Sequence, residues 1–194
     1  MRKIYILLNF PRTLLAYIFI KTNKNIKLIM EDIRRFTYNN RKHKTEYLTF
    51  SHIILVDKCF RNILHYRLKN ESLYKSFILS ILFPLKNDME ISNTCDIKGG
   101  FVCYHGHGTI INANSIGGNF SVWQGVTIGR NPKEGSEIDT PTIGNNVSIY
   151  TNAVVAGNIK IGNNVKIGAG AIVMKDVPND SIVIGNPCII KKVL

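Results

Sequence analysis

Aliphatic residues recur at every sixth position through the last third of the chain. The strict series runs from Ile143 to Val173 through Ile149, Val155, Ile161 and Ile167. A second small apolar residue follows four positions later in most units, at Val147, Ala153, Ile159, Val165 and Ala171. A period of six fits neither an α-helix nor a simple alternating strand. The pattern therefore predicts short extended segments that are separated by regular corners.

Glycine and asparagine mark the expected corners, at Gly144-Asn145-Asn146, Gly157-Asn158 and Gly162-Asn163-Asn164. These residues enter left-handed backbone conformations at the lowest cost. Three six-residue units would make one triangular coil, and stacked coils would make a parallel β-helix with the aliphatic side chains inside. The fold class that we expect is therefore mainly β.

The same period extends upstream but is interrupted once. It continues at Ile116, Val122 and Ile128, and more loosely at Ile91, Ile97 and Cys103. Between Gly129 and Thr142 the polar segment RNPKEGSEIDTPT has no aliphatic residue at the required spacing. We predict that residues 129–142 form a protruding loop, and long loops on solenoids usually serve binding.

The first 88 residues have helical spacing instead. We predict a basic α-helical N-terminal region over residues 1–88, followed by the β-helix over 89–194 with its loop and a C-terminal tail. Ser51 is a plausible N-cap for the third helix, and Pro84 would end the fourth. The predicted helices cover residues 13–20, 26–36, 51–69 and 71–83.

The positive charge is concentrated in this helical region. Residues 1–88 contain 17 Lys and Arg against 6 Asp and Glu, whereas residues 89–194 contain 8 against 7. The excess fits either a solvated helical surface or attraction to anionic lipid head groups or an anionic polymer. No recognition motif for nucleic acid accompanies it. Asn9, Pro11 and Arg12 interrupt the apolar N-terminus, so we expect a cytoplasmic protein, with peripheral contact to the inner face of the membrane as an option.

Cysteine and histidine spacing indicates no metal site. Cys59, Cys95, Cys103 and Cys188 contain no CxxC pair, and we expect free thiols in a reducing compartment. His105 and His107 stand between glycines, where another backbone or a ligand can approach closely. No histidine follows His107, so a three-histidine zinc site between coils would lack its ligands.

The repeat, the HGHG segment at 105–108, the loop and the tail IVIGNPCIIKK together resemble the serine acetyltransferase-like branch of hexapeptide-repeat acyltransferases. The resemblance is strong over residues 89–194 and is closest in character to members that modify capsule, O-antigen or exopolysaccharide. It implies a left-handed β-helix, a homotrimer and acetyl-CoA as acyl donor, without a metal. The donor would lie between neighbouring prisms.

The family's catalytic histidine matches His105, which would take the proton from the attacking hydroxyl. The family's partner carboxylate, fifteen residues earlier, matches Glu90, where serine acetyltransferases carry Asp. Asp96 is the rival partner. His107 could instead be the base or bind the acceptor, for which Tyr104 and Trp123 are further candidates.

By the same resemblance, acetyl-CoA would contact Gly129, Arg130, Thr151 and Ala169. Three lysines are candidates for binding its nucleotide phosphates, and each is also an ordinary solvated surface charge. They are Lys175, Lys191 and Lys192.

The acceptor site departs from the serine acetyltransferase pattern. That pattern has Asp immediately before the catalytic histidine and an Arg-His pair at the end of the loop, but this chain has Tyr104 and Asp139-Thr140. We therefore expect a sugar hydroxyl of a surface polysaccharide or its precursor as acceptor. Serine is the alternative, and a non-catalytic basic scaffold that binds membrane or polymer is the second alternative.

Overall fold

The computed structural model describes residues 7–38, 45–69, 71–132 and 139–192. The chain divides into two compact units, Met1–Lys86 and Asn87–Leu194. The first unit is helical, and the second consists of short strands. The helices are α1 Phe10–Lys21, α2 Ile26–Tyr38, α3 Glu46–Val56, α4 Lys58–Lys69 and α5 Leu73–Leu82.

The single helix predicted over residues 51–69 is wrong, because Asp57 divides it into α3 and α4. The backbone of Asp57 is extended, at φ −107° and ψ 107°, which ends α3. Its side chain then caps the next helix, since Oδ1 accepts a hydrogen bond from the Phe60 N–H at 2.9 Å. Ser51 is no cap either. It is buried within α3, and Thr45 caps that helix by accepting from the Leu48 N–H at 3.3 Å.

The helical unit has an aromatic and aliphatic core that also contains one ion pair. Phe50 and Phe60 are fully buried, with ring centroids 6.3 Å apart. Arg67 on α4 donates from Nε to Asp32 Oδ2 on α2 at 3.0 Å, and both side chains are at least 97% buried. The pair therefore joins two helices through the interior.

The second unit is a parallel β-solenoid of about five turns, consistent with a left-handed β-helix. Its strands are β1 Met89–Ile91, β2 Asp96–Ile97, β3 Val102–Cys103, β4 Thr109–Ile111, β5 Ser115–Ile116, β6 Ser121–Val122, β7 Thr127–Gly129, β8 Thr142–Ile143, β9 Ser148–Ile149, β10 Val154–Ala156, β11 Lys160–Ile161, β12 Lys166–Ile167, β13 Ile172–Val173, β14 Ser181–Ile184 and β15 Ile189–Lys192.

From β1 to β13 every third strand stacks into the same sheet, which gives the prism three faces. Face A contains β1, β4, β7, β10 and β13; face B contains β2, β5, β8 and β11; face C contains β3, β6, β9, β12, β14 and β15. All pairs are parallel except β14 with β15. All the predicted inward positions from Ile97 onward are buried, including Cys103, while Ile91 in the first strand is partly exposed.

The corners use glycine and asparagine for two different purposes. Asn146 and Asn164 adopt the left-handed conformation, with φ of 56° each. Their side chains form a ladder, since Nδ2 of Asn146 donates to Oδ1 of Asn164 at 3.0 Å. Gly144 is needed for close stacking, because a Cβ there would lie 2.8 Å from the carbonyl carbon of Gly162. Glycine thus allows neighbouring coils to approach closely, and asparagine adopts the left-handed conformation that the turn requires.

The loop enlarges one coil without disturbing the stack. Ile116 pairs with Ile143, 27 residues later, whereas Ile143 pairs with Ile161, 18 residues later. The loop therefore adds nine residues between β7 and β8. At its base the Asn131 N–H donates to the Asp139 carbonyl at 3.0 Å, which closes the two ends together.

Candidate active site

The corner that contains His105 and His107 is longer than the corners stacked on it. It leads from face C to face A, and seven residue steps separate Cys103 from Ile110. Five steps separate their register partners, Val122 and Thr127. The HGHG segment therefore contains two additional residues and places two exposed histidines at the surface of the prism.

The backbone of this corner has an uncommon conformation. His105, Gly106 and Gly108 all have positive φ, at 65°, 57° and 60°. A histidine in this region carries a backbone cost that glycine avoids. The corner is tied to the next coil, because the Gly125 N–H donates to the His107 carbonyl at 2.7 Å. The histidines are thus displayed from an anchored turn.

The structure pairs His107, rather than His105, with a carboxylate. His107 Nδ1 lies 2.9 Å from Asp88 Oδ2, and the two side chains are 70% and 50% exposed. An ionised carboxylate only accepts hydrogen bonds, so the Nδ1–H donates and the other ring nitrogen, Nε2, is left with a lone pair in neutral His107. Sequence reasoning missed Asp88, which lies just before β1 and outside the repeat.

The predicted partners of His105 lie elsewhere. Glu90 is exposed on face A, in register with Ile110, and shares no hydrogen bond with His105 within the described part of the chain. Asp96 on β2 forms an exposed ion pair with Lys98 at 2.8 Å. The assignment of Glu90 to His105 therefore stays a prediction.

An aromatic ladder runs along face C beside the enlarged corner. The rings of Tyr104 and Trp123 stack with centroids 4.6 Å apart, and Trp123 and Tyr150 follow at 4.5 Å. Each residue comes directly after an inward residue of its strand, so the three project outward from successive coils. The sequence contains this signal, since Tyr150 follows Ile149 as Tyr104 follows Cys103, although Tyr150 is not among the residues predicted for the site.

The residues predicted to contact acetyl-CoA lie along both edges of face A. Thr151 and Ala169 occupy equivalent places in the same corner column as the HGHG segment, two and three coils further on. Gly129 is the last residue of β7 and Arg130 follows it, where the chain leaves face A. Lys175 occupies the equivalent place after β13. Lys191 and Lys192 are exposed on β15 of face C instead.

Arg130 already has a partner at the base of the loop. Its Nε donates to Asp139 Oδ2 at 2.6 Å, and the Asp139 side chain is 15% exposed. The negative charge of Asp139, near the end of the loop, is therefore balanced by Arg130 of the same chain. Arg130 would have to leave this ion pair to bind a phosphate.

Two further observations concern metals and membranes. Over the described ranges, no group of three His, Cys, Asp or Glu side chains is placed to hold a metal ion. None of the described helices is both long enough and apolar enough to cross a membrane.

Comparison with known proteins supports the prediction of an acyltransferase. Residues 140–175 match the bacterial transferase hexapeptide family (six repeats). The chain is 40% identical over 111 residues to a serine acetyltransferase of Synechococcus elongatus. The aligned segment covers 57% of this chain and 45% of the relative. The chain is 38% identical over 126 residues to that of Bacillus pumilus, covering 64% and 58%. The chain thus spans about half the length of the curated relatives it matches.

The fold is similar to solved serine acetyltransferases. A Neisseria gonorrhoeae serine acetyltransferase in complex with serine superposes with a TM-score of 0.68 at 28% identity, over 90% of this chain and 73% of that one. Another structure of the enzyme from this organism gives 0.71 at 27% identity, over 92% and 78%.

These comparisons correct the expected acceptor. The prediction of a sugar hydroxyl on a surface polysaccharide is wrong, because the relatives and the similar structures are serine acetyltransferases. They agree with the alternative, serine. Three missing residues, the Asp before His105 and the Arg-His pair at the loop's end, count for less than a similarity that extends over most of the chain. The chain thus carries the bacterial transferase hexapeptide repeat, in a structure that is similar to serine acetyltransferases over 90% of its length.

Proposed function

We propose that this chain is an acetyltransferase that moves the acetyl group of acetyl-CoA onto the hydroxyl of serine. One observation carries the proposal: 90% of the chain follows the fold of a serine acetyltransferase solved with serine. The enlarged HGHG corner adds chemistry to this likeness, since it displays two imidazoles at the surface of the solenoid.

His105 acts as the general base in this proposal. A serine hydroxyl is a poor nucleophile near neutral pH, so a base must remove its proton as the oxygen attacks the thioester carbon. A carbon–oxygen bond forms, the carbonyl electrons move to oxygen, and the tetrahedral intermediate then expels the CoA sulfur. The protonated imidazole returns the proton to the departing thiolate. The products are O-acetylserine and free CoA thiol.

His107 is the second candidate for the same step. Its contact with Asp88 orients the ring, and in this tautomer the lone pair on Nε2 could accept a proton, as a general base requires. The match to the family's catalytic histidine favours His105, with Glu90 as its predicted partner. In the main proposal, His107 binds the acceptor, next to Tyr104 and Trp123.

Acetyl-CoA would extend along face A, between neighbouring subunits of a homotrimer. Thr151 and Ala169 border this face on the side of the histidines, and Gly129 borders it on the side of the loop. Glycine and alanine leave room for the thin pantetheine arm. Lys175 would meet the nucleotide phosphates together with Lys191 and Lys192 of this or a neighbouring subunit.

Acceptor recognition must differ from the family pattern. Tyr104 offers a hydroxyl where the pattern has a carboxylate for the ammonium of serine, and Asp139 is neutralised by Arg130. Other groups would therefore bind the charged ends of serine, and Asp88, which contacts His107 in the histidine corner, is the candidate carboxylate. A cytoplasmic location follows from the use of acetyl-CoA, and peripheral membrane contact would involve the helical unit alone.

The test is the release of CoA thiol from acetyl-CoA with L-serine as acceptor. L-threonine, L-homoserine and water serve as controls. Serine-dependent thiol release, with O-acetylserine identified by mass spectrometry, supports the proposal. Release that is unaffected by serine in a folded protein that binds acetyl-CoA would show that serine is not the acceptor.

A further inference from the structure

The helical unit exposes a set of large apolar side chains on α5. Leu73, Tyr74, Phe77 and Ile81 are each 64–71% exposed. Positions 73, 77 and 81 are spaced by four residues, so they line one side of the helix. Single exposed apolar residues are ordinary on protein surfaces, but four on one short helix form a patch.

A second set lies on α1. Leu14, Leu15 and Ile18 are 37%, 37% and 48% exposed, although α1 also buries Ala16, Phe19 and Ile20 against the rest of the unit. The helix is thus apolar on its inner and its outer side. A helix of this kind requires an apolar environment on both sides.

Contacts between α1 and α5 place the two exposed sets side by side. At one end Arg12 Nη1 donates to the Leu82 carbonyl at 3.0 Å. At the other end Lys75 Nζ donates to the Thr22 carbonyl at 3.3 Å. The helices therefore run antiparallel to each other. The exposed apolar side chains of these two neighbouring helices make up what we call the α1–α5 face, defined by Leu14, Leu15, Ile18, Tyr74, Phe77 and Ile81.

Every charged side chain on these two helices is basic. They are Arg12, Lys21 and Lys75, and exposed Lys24 lies three residues after the end of α1. Two carboxylates lie close by: Glu46 pairs with Lys21 at 2.5 Å, and Glu71 accepts from the Lys24 backbone N–H at 2.9 Å. Residues 1–86 contain 17 Lys and Arg but only 5 Asp and Glu. The charged groups on and beside the two helices are therefore mainly basic, in a unit whose net charge is positive.

We infer that the α1–α5 face docks on an anionic lipid surface, with both helices lying in the plane of the membrane interface. Helices with an apolar outer side and basic flanks bind such surfaces by inserting side chains between the lipids and by attracting the head groups. A second copy of this chain fits the face less well, because two-fold pairing would bring the same positive surroundings together. This inference does not depend on the proposed acetyl transfer.

Vesicle flotation of the full chain tests the inference. The protein is mixed with vesicles of phosphatidylcholine, or of phosphatidylcholine and phosphatidylglycerol in equal parts, at low salt and at about 0.5 M salt. We expect flotation with the anionic vesicles at low salt, and a clear loss of binding at high salt. Binding that is equal on the neutral vesicles would contradict the role of charge.

Two double variants separate the apolar and the electrostatic contributions. Phe77→Ser with Ile81→Ser should lower vesicle binding about tenfold or more, because two side chains no longer enter the interface. Lys24→Gln with Lys75→Gln should lower the preference for anionic over neutral vesicles. Val56→Ser, which removes an exposed side chain from the end of α3, is the matched control and should leave binding unchanged.

Thermal unfolding and light scattering complete the test. All the substituted apolar residues are largely exposed, so the variants should unfold at nearly the parent temperature. Equal vesicle binding by the Phe77→Ser/Ile81→Ser variant would overturn the inference. A smaller molecular mass for that variant, with no vesicle binding by the parent protein, would assign the face to contact between copies and would also overturn it.

Discussion

His107 Nδ1 lies 2.9 Å from a carboxylate oxygen of Asp88, across the start of the first coil. Asp88 immediately precedes β1, whose Met89 pairs with Thr109 at the end of the histidine corner. Register between the first two coils thus brings the two side chains together, although nineteen residues separate them. The neighbouring His105 lies in the same corner but has no carboxylate partner among the described residues. Mutation can therefore distinguish the two histidines.

We expect His105→Asn to lower kcat for serine acetylation by about 10² to 10⁴, because the general base is lost. Asparagine tolerates the positive φ of this position, so the backbone should be unaffected. Initial rates of thiol release give the measurement, and binding of CoA by calorimetry is the control. If His107→Asn and Asp88→Asn cause this loss instead, while His105→Asn retains activity, the base is His107.

Asp32→Asn should destabilise the helical unit by about 3–5 kcal/mol, because the Arg67 guanidinium would remain buried without its counter-charge. Urea unfolding followed by far-UV circular dichroism measures the change. The matched control is Asp96→Asn, which breaks the exposed pair with Lys98 and should cost at most about 1 kcal/mol. Equal effects of the two substitutions would show that burial of the Arg67–Asp32 pair has no special consequence.

Stability should decrease as the pH falls below about 6.5, the ordinary pKa of histidine, in part because of His65. Burial, with a smaller contribution from the positive charge of Lys69, lowers the pKa of His65 in the folded protein. The unfolded chain therefore takes up a proton at a pH where the folded chain does not, and unfolding becomes easier. The loss stops once the pH is below the folded pKa.

His65→Gln should flatten this part of the profile, and its amide can still hydrogen-bond to Ser76 Oγ, which lies 2.8 Å from His65 Nε2. Urea midpoints between about pH 7.5 and 5.5 give the comparison. His105→Asn serves as the control, since that side chain is exposed. A difference between parent and His65→Gln that does not change with pH would contradict the assignment.

Gly144→Ala should destabilise the solenoid by roughly 1–3 kcal/mol, because the added methyl group meets the backbone of Gly162 in the next coil. Gly118→Ala is the matched control, since its Cβ would lie 3.6 Å from its nearest neighbours, an ordinary contact. Thermal unfolding of both variants checks the difference. Equal melting temperatures would show that the coils can separate enough to admit a side chain.

The sequence predicts the solenoid well because each inward position has the same environment. An aliphatic residue every six positions has one use in a triangular coil, and Ile143, Ile149 and Val155 are buried as expected. The break at Asp57 was not predicted, since apolar spacing continues across it from Val56 to Phe60. Only the extended backbone of one residue divides the two helices.

The active-site candidates were predictable to different degrees. His105 and His107 stand out in the sequence as polar residues between glycines. The number of residues from Cys103 to Ile110, compared with that from Val122 to Thr127, also indicates that their corner is enlarged. The Asp88–His107 contact depends on the register of the first coil, where the repeat is weakest. The sequence predicts Tyr104 and Trp123 as acceptor-binding residues. Their continuous ladder with Tyr150 depends on how the coils stack.

The enlarged corner also bears on how such a protein can change over evolutionary time. Its two additional residues are absorbed before β4 begins, since Ile110 and Ile111 resume parallel pairing with Thr127 and Ile128. The neighbouring coil therefore experiences no shift in alignment. Insertions, deletions and exchanges at this turn are insulated from the scaffold, so new reactivity can be explored there while the stack that supports it is inherited intact.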